Sequence, residues 1–335
     1  MRVGETDLHW TELGSGRPLV LLHGLCDSHL TWSRLAPRLA VDRRVLMLDL
    51  PGHGLSGRPD ADYALDWHAR TVAGWLDALG LEEIDLVGHS YGGGVAQWLV
   101  LLRHDRIRRL GLIAAGGLGR EVSPELRAAA LTGVLELADP VLGIGTHLGF
   151  QAAGGDFDAH EMAMLRWMNA RPGTGRAFAR TVDDVIDWRG QKRGLLDRVH
   201  EVAGLPPTAL FWGDRDRVIP VRHAVEAARL IEGASLVRYA GVGHFPHRQR
   251  AEPMARTLRE FIDADALPRP HIRRWLAVPQ QVRRASWFGR ALRAIGRALG
   301  DVAARAFAAE RRDRASRSGA ALVLPARSSS LESAA

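Results

Sequence analysis

The chain has 335 residues and one cysteine, Cys26. An internal disulfide is therefore impossible, a thiol-ligated structural zinc lacks its ligands, and a reducing, cytoplasmic setting is expected. No apolar run reaches the ~20 residues that a membrane-spanning helix needs, and MRVGETDLHW has no charged start leading into an apolar stretch. A soluble protein is expected. Also missing are a phosphate-cradling G-x-x-x-x-G-K-[ST] loop, a dinucleotide fingerprint, an H-E-x-x-H pair and any zinc-ligand spacing. No cofactor and no metal are predicted, and there are no internal repeats.

The sequence is 46% hydrophobic, which at this length supports one large α/β domain with an inserted subdomain. Its net charge of +7 is unevenly placed. From Leu267 onward there are 14 arginines, no lysine and four acids (Asp301, Glu310, Asp313 and Glu332), so this segment carries +10 and leaves the body at −3. Only the tail is basic.

Short apolar runs ending in glycine or aspartate recur along the body: LVLLHG from Leu19, VLMLD from Val45, IDLVG from Ile84, LGLIAAGG from Leu110 and TALFWGD from Thr208. Such runs suit strands of a parallel sheet covered on both faces. Between them, Leu65 to Leu79 and Tyr91 to Leu102 space their apolar residues as helices do. The alternation predicts a doubly wound, mostly parallel α/β sheet. The rhythm lapses between Gly119 and Ala203, where Pro124, Pro140 and Pro172 divide a Met-rich stretch into short helices. A helical cap over 119–203 is expected, splitting the sheet domain into 1–118 and 204–266; the alternative is ordinary helices lying on one sheet face.

Residues 267–335 form a separate extension. Phe288, Leu292, Ile295, Leu299, Val302 and Ala306 step by four and three, with Arg290, Arg293 and Arg297 opposite, so residues 283–309 read as a basic amphipathic helix before a loose terminus. One reading docks this helix on anionic lipid at the inner face of the membrane. The other packs it on the body or on itself with its arginines solvated. Nucleic-acid binding is not expected, because only Trp287 and Phe288 offer stacking surfaces there.

The chemistry centres on Gly88-His89-Ser90-Tyr91-Gly92, a G-x-S-x-G between a buried strand and a helix. That context makes a nucleophile elbow, in which a strained turn exposes the hydroxyl and the helix N-terminus favours a developing oxyanion. A structural serine at a turn is the alternative. A serine hydroxyl needs a base and an orienting carboxylate, which in this architecture follow it in the order acid, histidine. The strand TALFW leads into Gly213-Asp214-Arg215-Asp216, and SLVRYA leads into Gly241-Val242-Gly243-His244-Phe245-Pro246-His247. Asp216 is favoured over Asp214, which directly follows the strand and can cap the turn. His244 is favoured over its neighbour His247 by its position after the glycines.

Together, His23-Gly24-Leu25, Asp49-Leu50-Pro51-Gly52-His53-Gly54-Leu55-Ser56, the elbow, Trp212-Gly213-Asp214-Arg215-Asp216 and Gly243-His244-Phe245 resemble the α/β-hydrolase superfamily. The resemblance is to its capped, single-chain bacterial serine hydrolases, which include small carboxylesterases and meta-cleavage-product hydrolases, and it runs from Gly14 to Ile262. It implies the α/β-hydrolase fold, a Ser90–Asp216–His244 triad, and an oxyanion hole from the backbone N–H groups of Leu25 and Tyr91. Relatives that cleave alkyl halides or epoxides place aspartate where Ser90 stands. Meta-cleavage hydrolases place glycines and a tryptophan where Leu25-Cys26 and Phe245 stand, which weakens carbon–carbon bond cleavage as an assignment. The resemblance thus implies hydrolysis of an ester or thioester of a hydrophobic small molecule or lipid, with carbon–carbon bond hydrolysis and a non-catalytic binding protein as alternatives. Met164, Trp167 and Met168, beside Met162, are candidate pocket residues, since methionine adapts to varied shapes; plain core is the other reading. Cys26, with no paired base, reads as a pocket wall rather than a reactive thiol.

Overall fold

The computed structural model describes residues 1–130, 139–198, 201 and 204–264. The basic extension predicted over 267–335, with its lipid-facing stretch 283–309, lies outside the described residues. A two-residue antiparallel pair, β1 (Arg2–Val3) and β2 (Thr6–Asp7), leads into β3 (Trp10–Leu13), β4 (Arg17–Leu22), β5 (Arg43–Leu48), β6 (Ile84–His89) and β7 (Ile107–Ile113). A second such pair, β8 (Ile186–Asp187) and β9 (Gly190–Gln191), precedes β10 (Thr208–Gly213) and β11 (Ser235–Tyr239). Seven strands form one sheet in the order β11-β10-β7-β6-β4-β5-β3; β3 alone is antiparallel to its neighbour, and the rest pair in parallel. This is the α/β-hydrolase fold.

The strands explain why both sheet faces are covered. Side chains alternate across a strand, so Val20, Leu22, Leu46, Leu48, Leu86, Leu112 and Leu210 enter one buried cluster while Leu19, Leu21, Val45, Met47, Val87, Ile113 and Phe211 enter another. Helices α2 (Leu65–Ala78), α3 (Tyr91–Arg103) and α8 (Arg222–Leu230) supply the first cluster with Val72, Trp75, Val95, Leu99 and Ala224. On the other face, α1 (Ala36–Leu39) and α9 (Ala251–Asp263) supply Ala36, Leu39, Met254 and Leu258.

Between β7 and β10 lie α4 (Pro124–Ala129), α5 (Asp139–Ala152), α6 (Ala159–Asn169) and α7 (Thr174–Val185). Pro124 takes the first turn of α4, where its missing N–H costs nothing. Asp158 and Glu161 close a capping box at the start of α6. Two arginines fasten this segment to the loops of the sheet. Arg248, 1% exposed, donates to the carbonyls of Leu30 and Asp156 and to Glu161 Oε2 at 2.5 Å. Arg58 reaches Thr174 Oγ1 at 2.7 Å and the Met168 carbonyl at 2.9 Å. Among the described residues no helix is long and apolar enough to cross a membrane.

Candidate active site

Ser90 stands where β6 ends and α3 begins, with φ 52° and ψ −117°. A non-glycine residue in the left-handed region costs about 1–3 kcal/mol and persists only where its surroundings impose it. Here the Ser90 N–H donates to the Ile113 carbonyl at 2.9 Å, and the Ser90 carbonyl accepts from Gly116 at 2.9 Å and Gly93 at 3.0 Å. The flanking glycines are required by close approach. A Cβ on Gly92 would overlap the carbonyl oxygens of Leu22 and His23, and one on Gly88 would overlap the backbone of Gly92 and Gly93. The hydroxyl is thereby held up, half-buried, at the C-terminal edge of the sheet.

The partners arrive from the loops after β10 and β11. Ser90 Oγ lies 3.0 Å from His244 Nε2, and His244 Nδ1 lies 2.8 Å from Asp216 Oδ2. The other carboxylate oxygen, Asp216 Oδ1, accepts from the Val218 and Ile219 N–H groups at 2.8 and 2.9 Å. Asp216 and His244 are 8% and 4% exposed, so the three groups meet in a water-poor setting. The competing residues stand elsewhere. Asp214 is exposed and caps the Gly241 N–H at 2.7 Å; His247 is buried with Nε2 2.9 Å from Thr31 Oγ1 and its ring against Trp32 and His89.

The loop after β4 lies against the elbow: a Cβ on Gly24 would stand 3.2 Å from Ser90 Cβ. His23 fixes this loop as a defined tautomer, because Nε2 accepts the Leu50 N–H at 2.9 Å while Nδ1–H donates to the Gly24 carbonyl at 2.8 Å. Among the described residues, no protein group accepts a hydrogen bond from the N–H of Leu25 or Tyr91. The Tyr91 side chain instead turns into the core beside His53 and His68. Cys26 is buried beside Thr146, and burial pushes its thiol up to about 12, so it stays un-ionised at neutral pH and is no nucleophile.

The pocket candidates separate. On α6, Met162, Leu165 and Met168 face inward, while Met164 is half-buried and Trp167 is 56% exposed with the Arg171 guanidinium 6.0 Å from its ring. At about 100° per residue, Trp167 falls off the face that Met162 and Met168 share. Three contributors were not anticipated. His89 Nε2–H donates to the His244 carbonyl at 2.9 Å and so anchors the histidine loop to the elbow. Asn169 Nδ2 donates to the Cys26 carbonyl at 2.6 Å, tying α6 to the loop that carries Leu25. Asp27 lies buried two residues beyond Leu25, and burial raises its carboxyl to about 7. The histidine before Ser90 is the one sequence signal among these; the other two depend on tertiary contact.

Burial keeps a group of histidines neutral. His23 and His53 are lowered to about 4 and about 3, and His68, His89 and His247 fall well below the usual imidazole range, with desolvation the largest cause in each. A histidine whose folded value is depressed binds its proton only in the unfolded chain, so its stabilising contribution is complete above about pH 6.5 and is lost as pH falls toward 4. Asp27 acts in the opposite direction over roughly the same window, and burial raises the Asp85 and Asp184 carboxyls as well, but these are three groups against five. Each fully effective group contributes a slope of about 1.4 kcal/mol per pH unit. The melting temperature is therefore expected to fall steeply between pH 6.5 and 4.5, as read by scanning fluorimetry; a level or rising curve toward acid contradicts this account.

Comparison with known proteins bears on the family and the fold. Residues 17–139 match the family model described as alpha/beta hydrolase fold. An uncharacterized protein of Mycobacterium tuberculosis is 34% identical over 261 residues, covering 75% of this chain and 76% of that one. A 2-hydroxy-6-oxo-2,4-heptadienoate hydrolase of Pseudomonas putida is 30% identical over 274 residues, covering 78% and 94%. Among solved structures, a thermophilic esterase from Thermogutta terrifontis superposes with a TM-score of 0.64 at 24% identity, over 77% of this chain and 93% of that one.

Proposed function

The chain belongs to the α/β-hydrolase family, and on that premise we propose that it is a serine hydrolase cleaving a carboxylic ester or thioester of a hydrophobic small molecule or lipid. The observation that carries this reading is the unbroken line from Asp216 through His244 to Ser90, at 2.8 and 3.0 Å. In the proposed cycle Ser90 Oγ attacks the carbonyl carbon as His244 Nε2 takes its proton. Asp216 holds Nδ1–H in place and stabilises the imidazolium. The N–H groups of Leu25 and Tyr91, with the N-terminal end of the α3 dipole, receive the oxyanion. The alcohol or thiol leaves with the proton from His244, and water repeats the sequence to release the acid.

The Pseudomonas putida relative, named as a 2-hydroxy-6-oxo-2,4-heptadienoate hydrolase, supports a second reading, carbon–carbon bond hydrolysis, in which Ser90 Oγ bonds to the ketone carbon, the adjacent carbon–carbon bond breaks and the released carbon takes the proton from His244. Phe245 in place of tryptophan after His244, and Leu25-Cys26 in place of glycines, speak against it. A panel of p-nitrophenyl esters of rising chain length, acyl thioesters and a 2-hydroxy-6-oxo-dienoate separates the readings. Esters or thioesters are expected to exceed the dienoate in kcat/KM by more than about tenfold. Dienoate turnover above every ester establishes the second reading, and no turnover together with no fluorophosphonate labelling establishes a non-catalytic binder.

A further inference from the structure

Away from Ser90, His9, His29 and Asp49 converge from three segments: His9 just before β3, His29 at the start of the 3₁₀ turn His29–Trp32, and Asp49 directly after β5. Forty residues separate His9 from Asp49 and twenty separate His29 from it. No sequence motif marks the group. His9 Nδ1 lies 2.9 Å from Asp49 Oδ2, and His29 Nδ1 lies 3.0 Å from both carboxylate oxygens. One donor atom from each residue falls within 4.8 Å of the other two. The Asp49 side chain is fully buried, those of His29 and His9 are 14% and 33% exposed, and the imidazoles thus form the mouth of a small cup with a carboxylate floor.

We propose that His9, His29 and Asp49 form a zinc-type divalent-cation site with three protein ligands and a fourth position open to water. Four-coordinate zinc, at about 2.0–2.1 Å from nitrogen and oxygen, places its ligand atoms about 3.3 Å apart. The two histidine–carboxylate separations need to open by only a few tenths of an ångström, and the two imidazole donor atoms already lie within 4.8 Å of one another. Two imidazoles and one carboxylate favour a borderline cation over calcium or magnesium, which take oxygen shells. The carboxylate is already oriented from behind: the His29 N–H donates to Oδ1 at 2.6 Å and the Leu55 N–H to Oδ2 at 2.9 Å, the outer contacts that position a metal-binding carboxylate. A bound ion would tie the turn following the Leu25 loop to the ends of β3 and β5, so its role is to brace that loop from outside. The competing arrangement in the same space is a proton on each Nδ1, with both N–H groups donating to the carboxylate.

Titration of the tag-free, full-length chain, stripped with chelator and dialysed, separates the two. With zinc chloride, calorimetry is expected to give one ion per chain and a rise of about 5 °C in melting temperature at a hundredfold excess over Kd. Cobalt(II) is expected to show the intense visible bands of a four-coordinate ion. His9→Ala and His29→Ala each weaken binding by more than the roughly 10–100-fold that outer contacts cost, while His160→Ala, at an exposed histidine of α6, leaves it unchanged. If His29→Ala fails to fold by circular dichroism, His9→Ala carries the test, since its ring is the more exposed. Absence of zinc binding, or binding unaffected by His9→Ala, overturns the proposal.

Discussion

Ser90→Ala is expected to lower kcat on a p-nitrophenyl acyl ester by about 10⁴- to 10⁶-fold, with little change in KM, and to abolish fluorophosphonate labelling. The size of the effect follows from the geometry. With the hydroxyl gone, His244 Nε2 faces no group that can be acylated, and only the N–H groups around the site remain to assist water. The fold should survive. Alanine keeps the Cβ of serine, so the strain at φ 52° is unchanged, and the substitution removes a single hydrogen bond, the 3.0 Å one to His244, worth about 1 kcal/mol. A melting temperature close to that of the wild type, together with the rate loss, assigns the defect to chemistry. Undiminished ester turnover by the variant would remove Ser90 from the mechanism.

The parts of the molecule that could be read from sequence are those where one local rule dominates. Strands β4, β6 and β10 are buried on both faces, so their runs are continuous and apolar, and the helices α2 and α3 carry a plain 3.6-residue rhythm. Strand β3 escaped because WTEL is a half-exposed edge that pairs on one side only and leaves no apolar run. The two-residue pairs β1–β2 and β8–β9 are too short for any periodicity. Ser90, Asp216 and His244 could be placed because the elbow and the loops after β10 and β11 each carry a local punctuation of glycines. Nothing local marks Asn169, which reaches Cys26 across 143 positions, or Arg248, which spans 87 to reach Glu161. Side-chain hydrogen bonds of that range are products of packing, and a single sequence does not print them.

The choice between Asp214 and Asp216 yields the second large effect. Asp216→Asn is expected to lower kcat by about 10⁴-fold at neutral pH, while Asp214→Asn stays within a few-fold of wild type. The asymmetry comes from the two backbone donors behind Asp216. The N–H groups of Val218 and Ile219, at 2.8 and 2.9 Å, require an acceptor, so an asparagine at this position turns its carbonyl oxygen toward them. Its NH₂ then faces His244 Nδ1, which must become the acceptor. The imidazole proton moves to Nε2 and points at Ser90 Oγ, leaving no lone pair to take the serine proton. At 214 the side chain caps the Gly241 N–H, which an asparagine oxygen accepts equally well from an exposed position. Steady-state kinetics of both variants on one ester decide the matter: equal losses, or the larger loss at Asp214, would mean that the 2.8 Å contact between Asp216 and His244 does not set the tautomer on which the proposed mechanism depends.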